Sequence, residues 1–79
     1  MRDEVFERIC VLTAKNWHLD GSLIHPESTF DDIFDPDSLD SVELVADVEQ
    51  EFNVRISDSE MYGISTFGEL ADLVRTRKR

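Results

Sequence analysis

The chain predicts an all-α domain, and two kinds of signal carry that expectation. Three stretches of its 79 residues space their apolar side chains three and four apart, and Ser57/Glu60 and Thr66/Glu69 have the form of helix-opening capping boxes. A chain of this length buries only about 60% of the surface exposed when unfolded, so it holds one domain, residues 1–79, with a thin core and no deep catalytic cleft.

The first helix is expected over roughly residues 3–15, where Val5, Phe6, Ile9, Cys10 and Leu12 fall at helical spacing behind Asp3 and Glu4, acids that suit the positive end of a helix dipole. From Asn16 to Pro36 the periodicity dissolves into the turn signals Asp20-Gly21-Ser22, His25-Pro26 and Asp35-Pro36. This long loop is expected to anchor on the core through Trp17, Leu19, Leu23, Ile24 and Phe30. Structureless connections of such length are unusual in compact domains and commonly functional. A second helix should start at Asp37, a side chain able to cap free amides, and run to about Phe52, where Asn53 breaks it. Ser57/Glu60 opens a short helix through Met61. Thr66/Glu69 opens the last, with Phe67, Leu70, Ala71 and Val74 forming one apolar stripe. A basic tail over 74–79, expected to fray, ends the chain, and its cations suit a helix C-terminus better than a nucleic-acid patch.

Charge is unevenly distributed. The formal net charge is −10, and ten carboxylates lie between Glu27 and Glu51 without an intervening Lys or Arg. Such a surface repels nucleic acid and anionic lipid and draws in basic protein patches. The one cysteine, Cys10, forms no intramolecular disulfide and reads as a small buried hydrophobe. With no apolar run long enough for a signal core or a membrane span, the expectation is a cytoplasmic monomer with no membrane insertion. No enzyme chemistry is legible: His18 and His25 have no partner at metal-ligand spacing, no serine sits in a recognisable triad, and the three glycines form no phosphate loop. No catalytic or metal-binding residue is therefore assigned.

Two apolar groups separate on the second helix at about 100° per residue. Leu44, Val45, Val48 and Phe52 form the expected core face. Leu39, Val42 and Ala46 lie on nearly the opposite side, bordered by Asp40, Glu43 and Asp47 and, at the other edge, Glu49. A strip of this kind is either a docking surface, with acids setting orientation and association rate, or ordinary scattered surface apolars. Ser38, one residue from its top, favours docking. A hydroxyl with no base in reach is a poor nucleophile for its own chemistry but a suitable place for another enzyme to attach a group.

These residues resemble a family. Asp37-Ser38-Leu39, continuing through Asp40-Ser41-Val42-Glu43-Leu44-Val45 to Glu51-Phe52, is similar to the attachment motif and second helix of stand-alone acyl carrier proteins. Ser28-Thr29-Phe30-Asp31-Asp32-Ile33 resembles that family's loop, and Ile64-Ser65-Thr66-Phe67 to Val74 its last helix. The resemblance implies a small bundle of three main helices plus one short helix, with a long loop between the first and second. It implies that Ser38 carries covalent 4′-phosphopantetheine from coenzyme A, attached by a phosphopantetheinyl transferase, and that acyl groups ride on the arm as thioesters. Leu39, Asp40, Val42, Glu43, Ala46, Asp47 and Glu49 match the partner-facing surface, read by synthase, ligase or other acyl-transferring enzymes with basic docking patches, in fatty acid, specialised lipid or polyketide biosynthesis.

Departures from that pattern are Ala46, where a larger apolar residue is frequent, and Asp35-Pro36, where the family usually has Gly two residues before the serine. The alternatives are a peptidyl or D-alanyl carrier, which more often show Gly-Gly before the motif or Met after the serine, and an unmodified acidic helical interaction module. A pocket for cargo is expected among Phe30, Leu44, Val48, Phe52, Ile56 and Ile64.

Overall fold

The computed structural model describes residues 3–35 and 39–77. Its elements are α1 (Glu4–Trp17), a 3-10 turn (Gly21–Leu23), α2 (Phe30–Ile33), α3 (Asp40–Phe52), α4 (Asp58–Tyr62) and α5 (Phe67–Arg77). The fold is all-α, as the periodicities predict. Three main helices pack together, with α1 central between α3 and α5.

Local chemistry sets most helix ends. Asp3 caps α1 by accepting from the Phe6 amide at 2.9 Å. The helix closes at His18 in the left-handed region (φ 56°), where the Leu19 amide donates back to the Ala14 carbonyl. Asn53, the expected breaker of α3, adopts the same conformation (φ 56°), one that asparagine tolerates better than most side chains. Both predicted capping boxes form. Ser57 and Glu60 exchange bonds at the start of α4. At α5, the Thr66 amide donates to Glu69 Oε1 at 3.0 Å and the Glu69 amide to Thr66 Oγ1 at 3.1 Å. The Ser65 amide donates to the same Glu69 oxygen, and these amide donors hold the Glu69 carboxyl below the usual carboxylate range.

The core comprises Phe6 and Ile9 of α1, Leu44 and Val48 of α3, and Phe67, Leu70, Ala71 and Val74 of α5, all fully buried. Thr13 is buried among them, its hydroxyl donating to the Ile9 carbonyl at 2.8 Å, and among the described residues no buried side-chain nitrogen or oxygen lacks a partner.

The segment between α1 and α3 differs most from expectation. It is not structureless: it contains the 3-10 turn and α2, which opens on a third capping box, Thr29 with Asp32. That box has Asp at its fourth position, outside the Glu/Gln signature used on the sequence. Among the expected anchors, Ile24 is buried and Trp17 and Phe30 pack partly buried on the core, but Leu19 and Leu23 are exposed. Their place is taken by Phe34, buried between Trp17 (ring centroids 5.0 Å apart) and Phe67 (6.1 Å). Phe30 also packs against Phe67, with ring centroids 5.0 Å apart and the rings tilted. Three backbone bonds fasten the same loop to the head of α5: Phe30 N–H to the Ser65 carbonyl, Phe67 N–H to Ser28, and Gly68 N–H to Pro26.

At its far end, α5 continues past Val74 to Arg77, so Arg75 and Arg77 lie in its last turn and not in a frayed tail. Arg75 pairs with Asp3 and Asp72, and Arg77 pairs with Glu60 and donates to the Arg55 carbonyl.

Gly68 sits where the loop crosses α5. A Cβ at this position would stand 2.7 Å from the Pro26 carbonyl oxygen, the atom that Gly68 N–H bonds. Glycine to alanine inside a helix ordinarily stabilises by about 1 kcal/mol. Here Gly68→Ala is expected to destabilise by about 1–3 kcal/mol, because the contacting group is backbone. Thermal unfolding reads the sign: a rise in Tm would show that the loop yields freely.

Candidate functional site

α3 begins at Asp40, three residues later than expected, and Leu39 at its N-cap has no side chain able to accept from the first-turn amides. The expected cap Asp37 and the expected attachment residue Ser38 lie outside the described residues. In sequence, Ser38 stands two positions before the first residue of α3.

The faces of α3 divide as the helical period requires. Leu44, Val45 and Val48 are buried, with Phe52 partly so. Leu39 is 70% exposed and Val42 62%, and Ala46 is exposed too. The acids are not equivalent. Glu43 is exposed, Asp40 is partly buried, and Asp47 is partly buried and accepts from Asn16 Nδ2 of α1 at 2.6 Å. Glu49 turns away from Asp47: its Oε2 accepts the Ile56 amide at 2.8 Å, tying the connection after α3 back to the helix.

Beside this helix lies a cleft of about 550 Å³. One wall is the α3 stripe Val42, Val45, Ala46 and Glu49, at i, i+3, i+4 and i+7. Further lining comes from Ile56, Asp58, Met61, Tyr62 and Ile64 and, from the connection before α3, Thr29, Phe30 and Asp31. Ser41 and Ser65 add hydroxyls to the lining. Phe30, Ile56 and Ile64 line it as expected, whereas Leu44, Val48 and Phe52 do not. Leu44 and Val48 lie on a different face of the helix, in the interface with the other main helices, where both are fully buried. Sequence periodicity separated core from surface but did not show that Val45, buried like Leu44 and Val48, also lines the cleft. Met61 and Tyr62 were missed as lining residues because nothing in the sequence fixes the direction of a helix as short as α4.

No helix among the described residues is long and apolar enough to cross a membrane, and no His/Cys/Asp/Glu group among them could hold a metal ion.

The family of the phosphopantetheine attachment site matches residues 7–74. The chain is 36% identical over 74 residues to an acyl carrier protein of Picosynechococcus sp., covering 94% of this chain and 91% of that protein. It is 37% identical over 73 residues to an acyl carrier protein of Rubrobacter xylanophilus, covering 92% and 90%. A third, from Thermosynechococcus vestitus, is 32% identical over 76 residues, covering 96% and 94%.

This chain belongs to the acyl carrier protein family.

Acyl carrier proteins with this attachment domain hold 4′-phosphopantetheine covalently. The cleft fits such a group. Its apolar walls suit methylenes and methyls, the hydroxyls of Ser41, Ser65 and Thr29 can bond amides, and its α3 wall begins within the first turn of the helix.

The Glu49–Ile56 bond joins the two walls, so its removal tests how the cleft is held. Glu49→Ala leaves the Ile56 amide without that acceptor and is expected to cost about 1 kcal/mol, while Glu49→Gln keeps a carbonyl oxygen there and costs less. Faster hydrogen exchange at the Ile56 amide in the alanine variant alone would verify the tie. Equal exchange in all three proteins would refute it.

Proposed function

We propose that this protein is a non-catalytic carrier whose Ser38 Oγ bears the 4′-phosphopantetheine arm, and that it delivers acyl groups to enzymes of fatty acid, specialised lipid or polyketide biosynthesis. The observation that carries the reading is the match of the phosphopantetheine attachment family across residues 7–74, a span that contains the Asp37-Ser38-Leu39 triplet immediately before α3. When bound, the arm supplies a terminal thiol on which an acyl group is held as a thioester.

The chain's own residues do three things in this reading. Ser38 Oγ accepts the arm from coenzyme A on a phosphopantetheinyl transferase: the Oγ–P bond forms as the pyrophosphate P–O bond breaks, and adenosine 3′,5′-bisphosphate leaves. The first-turn amides of α3, to which Leu39 offers no side-chain acceptor, favour an anion nearby. Asp40 and Glu43, the acids of that turn, oppose it, so the site presents the phosphodiester without gripping it.

Leu39, Asp40, Val42, Glu43, Ala46, Asp47 and Glu49 form the face that partner enzymes read. The exposed Leu39 and Val42 supply apolar contact, and Glu43 and Asp47 steer basic patches and set register. Glu49 contributes chiefly by holding the cleft wall, since its carboxylate is bonded to the Ile56 amide.

Incubation with coenzyme A and a broad-specificity phosphopantetheinyl transferase is expected to raise the intact mass by one phosphopantetheinyl group. Ser38→Ala should gain nothing. A wild-type mass unchanged with several transferases would point instead to an unmodified interaction module.

Reversal of both charges, Glu43→Lys with Asp47→Lys, is expected to raise the KM of the loaded carrier for a basic partner by about tenfold, with the loss shrinking as salt rises. Partner kinetics unmoved in a folded double variant would remove these acids from the interface.

A further inference from the structure

Among the described residues, six large apolar side chains are exposed, and three of them are Leu39 at the N-cap of α3, Val42 in α3 and Tyr62 in α4, with Val42 and Tyr62 both lining the cleft. Tyr62 is the most exposed of all, at 91%. It is the last residue of α4, next to Met61, which turns inward to pack on the core. The end of α4 thus splits its side chains, one holding the helix down and the other standing outward at the mouth of the cleft. An aromatic ring in that position contributes almost nothing to folding, because little of its surface is removed from water. At an interface the same ring supplies a large, rigid contact area at low entropic cost, which is why tyrosine is enriched among residues that dominate binding.

We propose that Tyr62 is a specificity-determining docking residue, extending the partner surface from α3 across the cleft mouth onto α4. The inference rests on the carrier reading above and adds a contact outside α3. Its occupant is an enzyme acting on the arm that presents an apolar recess bordered by Lys and Arg. Charge complementarity argues for that occupant: Asp31, Glu49 and Asp58 line the cleft, Glu43 lies on the adjoining face of α3, and no Lys or Arg occurs from Glu27 to Val54. Arg55 is exposed but does not line the cleft, and Arg77 is paired with Glu60 of α4. The ring therefore stands in an acidic surround, suited to a basic rim around an apolar centre.

The test uses holo-protein, its loading checked by intact mass, and a purified acyl–carrier ligase supplied with ATP and a fatty acid. The kcat and KM for the carrier are measured with wild type, Tyr62→Phe and Tyr62→Ala at low and high salt. Tyr62→Ala is expected to raise KM about tenfold with kcat within about twofold, and Tyr62→Phe to stay near wild type. The alanine effect should persist at high salt, in contrast to that of the Glu43/Asp47 reversal, because an apolar contact is not screened. An unchanged Tm and far-UV spectrum confirm that the truncation acts on binding and not on folding. A KM within twofold of wild type for Tyr62→Ala overturns the assignment. So does a change confined to the hydrolysis rate of the loaded thioester, which would make the ring a cover for cargo, or to self-association, which would make it a contact between copies. Wild-type protein that takes up no arm overturns the carrier reading itself, a result distinct from a loaded carrier indifferent to Tyr62.

Discussion

Phe67 is the fixed point on which the long connection between α1 and α3 depends. Fully buried at the first turn of α5, it meets both Phe30 and Phe34, and Phe34 in turn meets Trp17 at the end of α1. Across the same junction the carbonyls of Ser28, Pro26 and Ser65 accept from the amides of Phe67, Gly68 and Phe30. A connection of this length has a large conformational entropy to lose, and the aromatic contacts offset it with burial concentrated in a few rigid side chains. As a result the connection is held on the core as far as Phe34, and Phe30, one of its pinned residues, lines the cleft. Without that pinning, α3 would still bury Leu44 and Val48, but the part of the cleft lining that Thr29, Phe30 and Asp31 supply would lose its fixed place.

α3 serves three neighbours at once, and the division follows from helical geometry. Residues at 44 and 48 join the core with α1 and α5, residues at 42, 45, 46 and 49 wall the cleft, and Glu43 and Asp47 lie toward the end of α1 near Asn16. Each stripe repeats every three to four residues, so a substitution on one face is insulated from the other two. Ala46 is the narrowest point of this arrangement, lying between the cleft and the outer acids. Its small side chain leaves room on both sides, where the family more often places a bulkier group.

Much of this was legible because the relevant forces are local. The helices, their two predicted capping boxes, the break at Asn53 and the buried pair Leu44 and Val48 all follow from spacing and caps over fewer than five residues. What was not legible depends on tertiary direction. Leu19 and Leu23 look like anchors by composition, yet Phe34 was the residue within reach of Phe67. The cleft lining was half right for the same reason: the choice between Val45 and Val48 as its wall turns on which way α3 is rotated against α1, and a periodic pattern fixes the faces without naming their neighbours. Glu49 is the clearest case. By spacing it is one more surface acid, and only the position of Ile56 makes it a structural acceptor.

α4 has no buried residue of its own. It is attached by partly buried Met61, by the Glu49–Ile56 bond on one flank, and on the other by Arg77, whose ion pair with Glu60 is partly solvated and therefore weak. The facing side, α3, is bolted into the core through fully buried leucine and valine. The cavity thus has one firmly anchored wall and one weakly anchored wall, so opening on the α4 side should cost less than unfolding the domain.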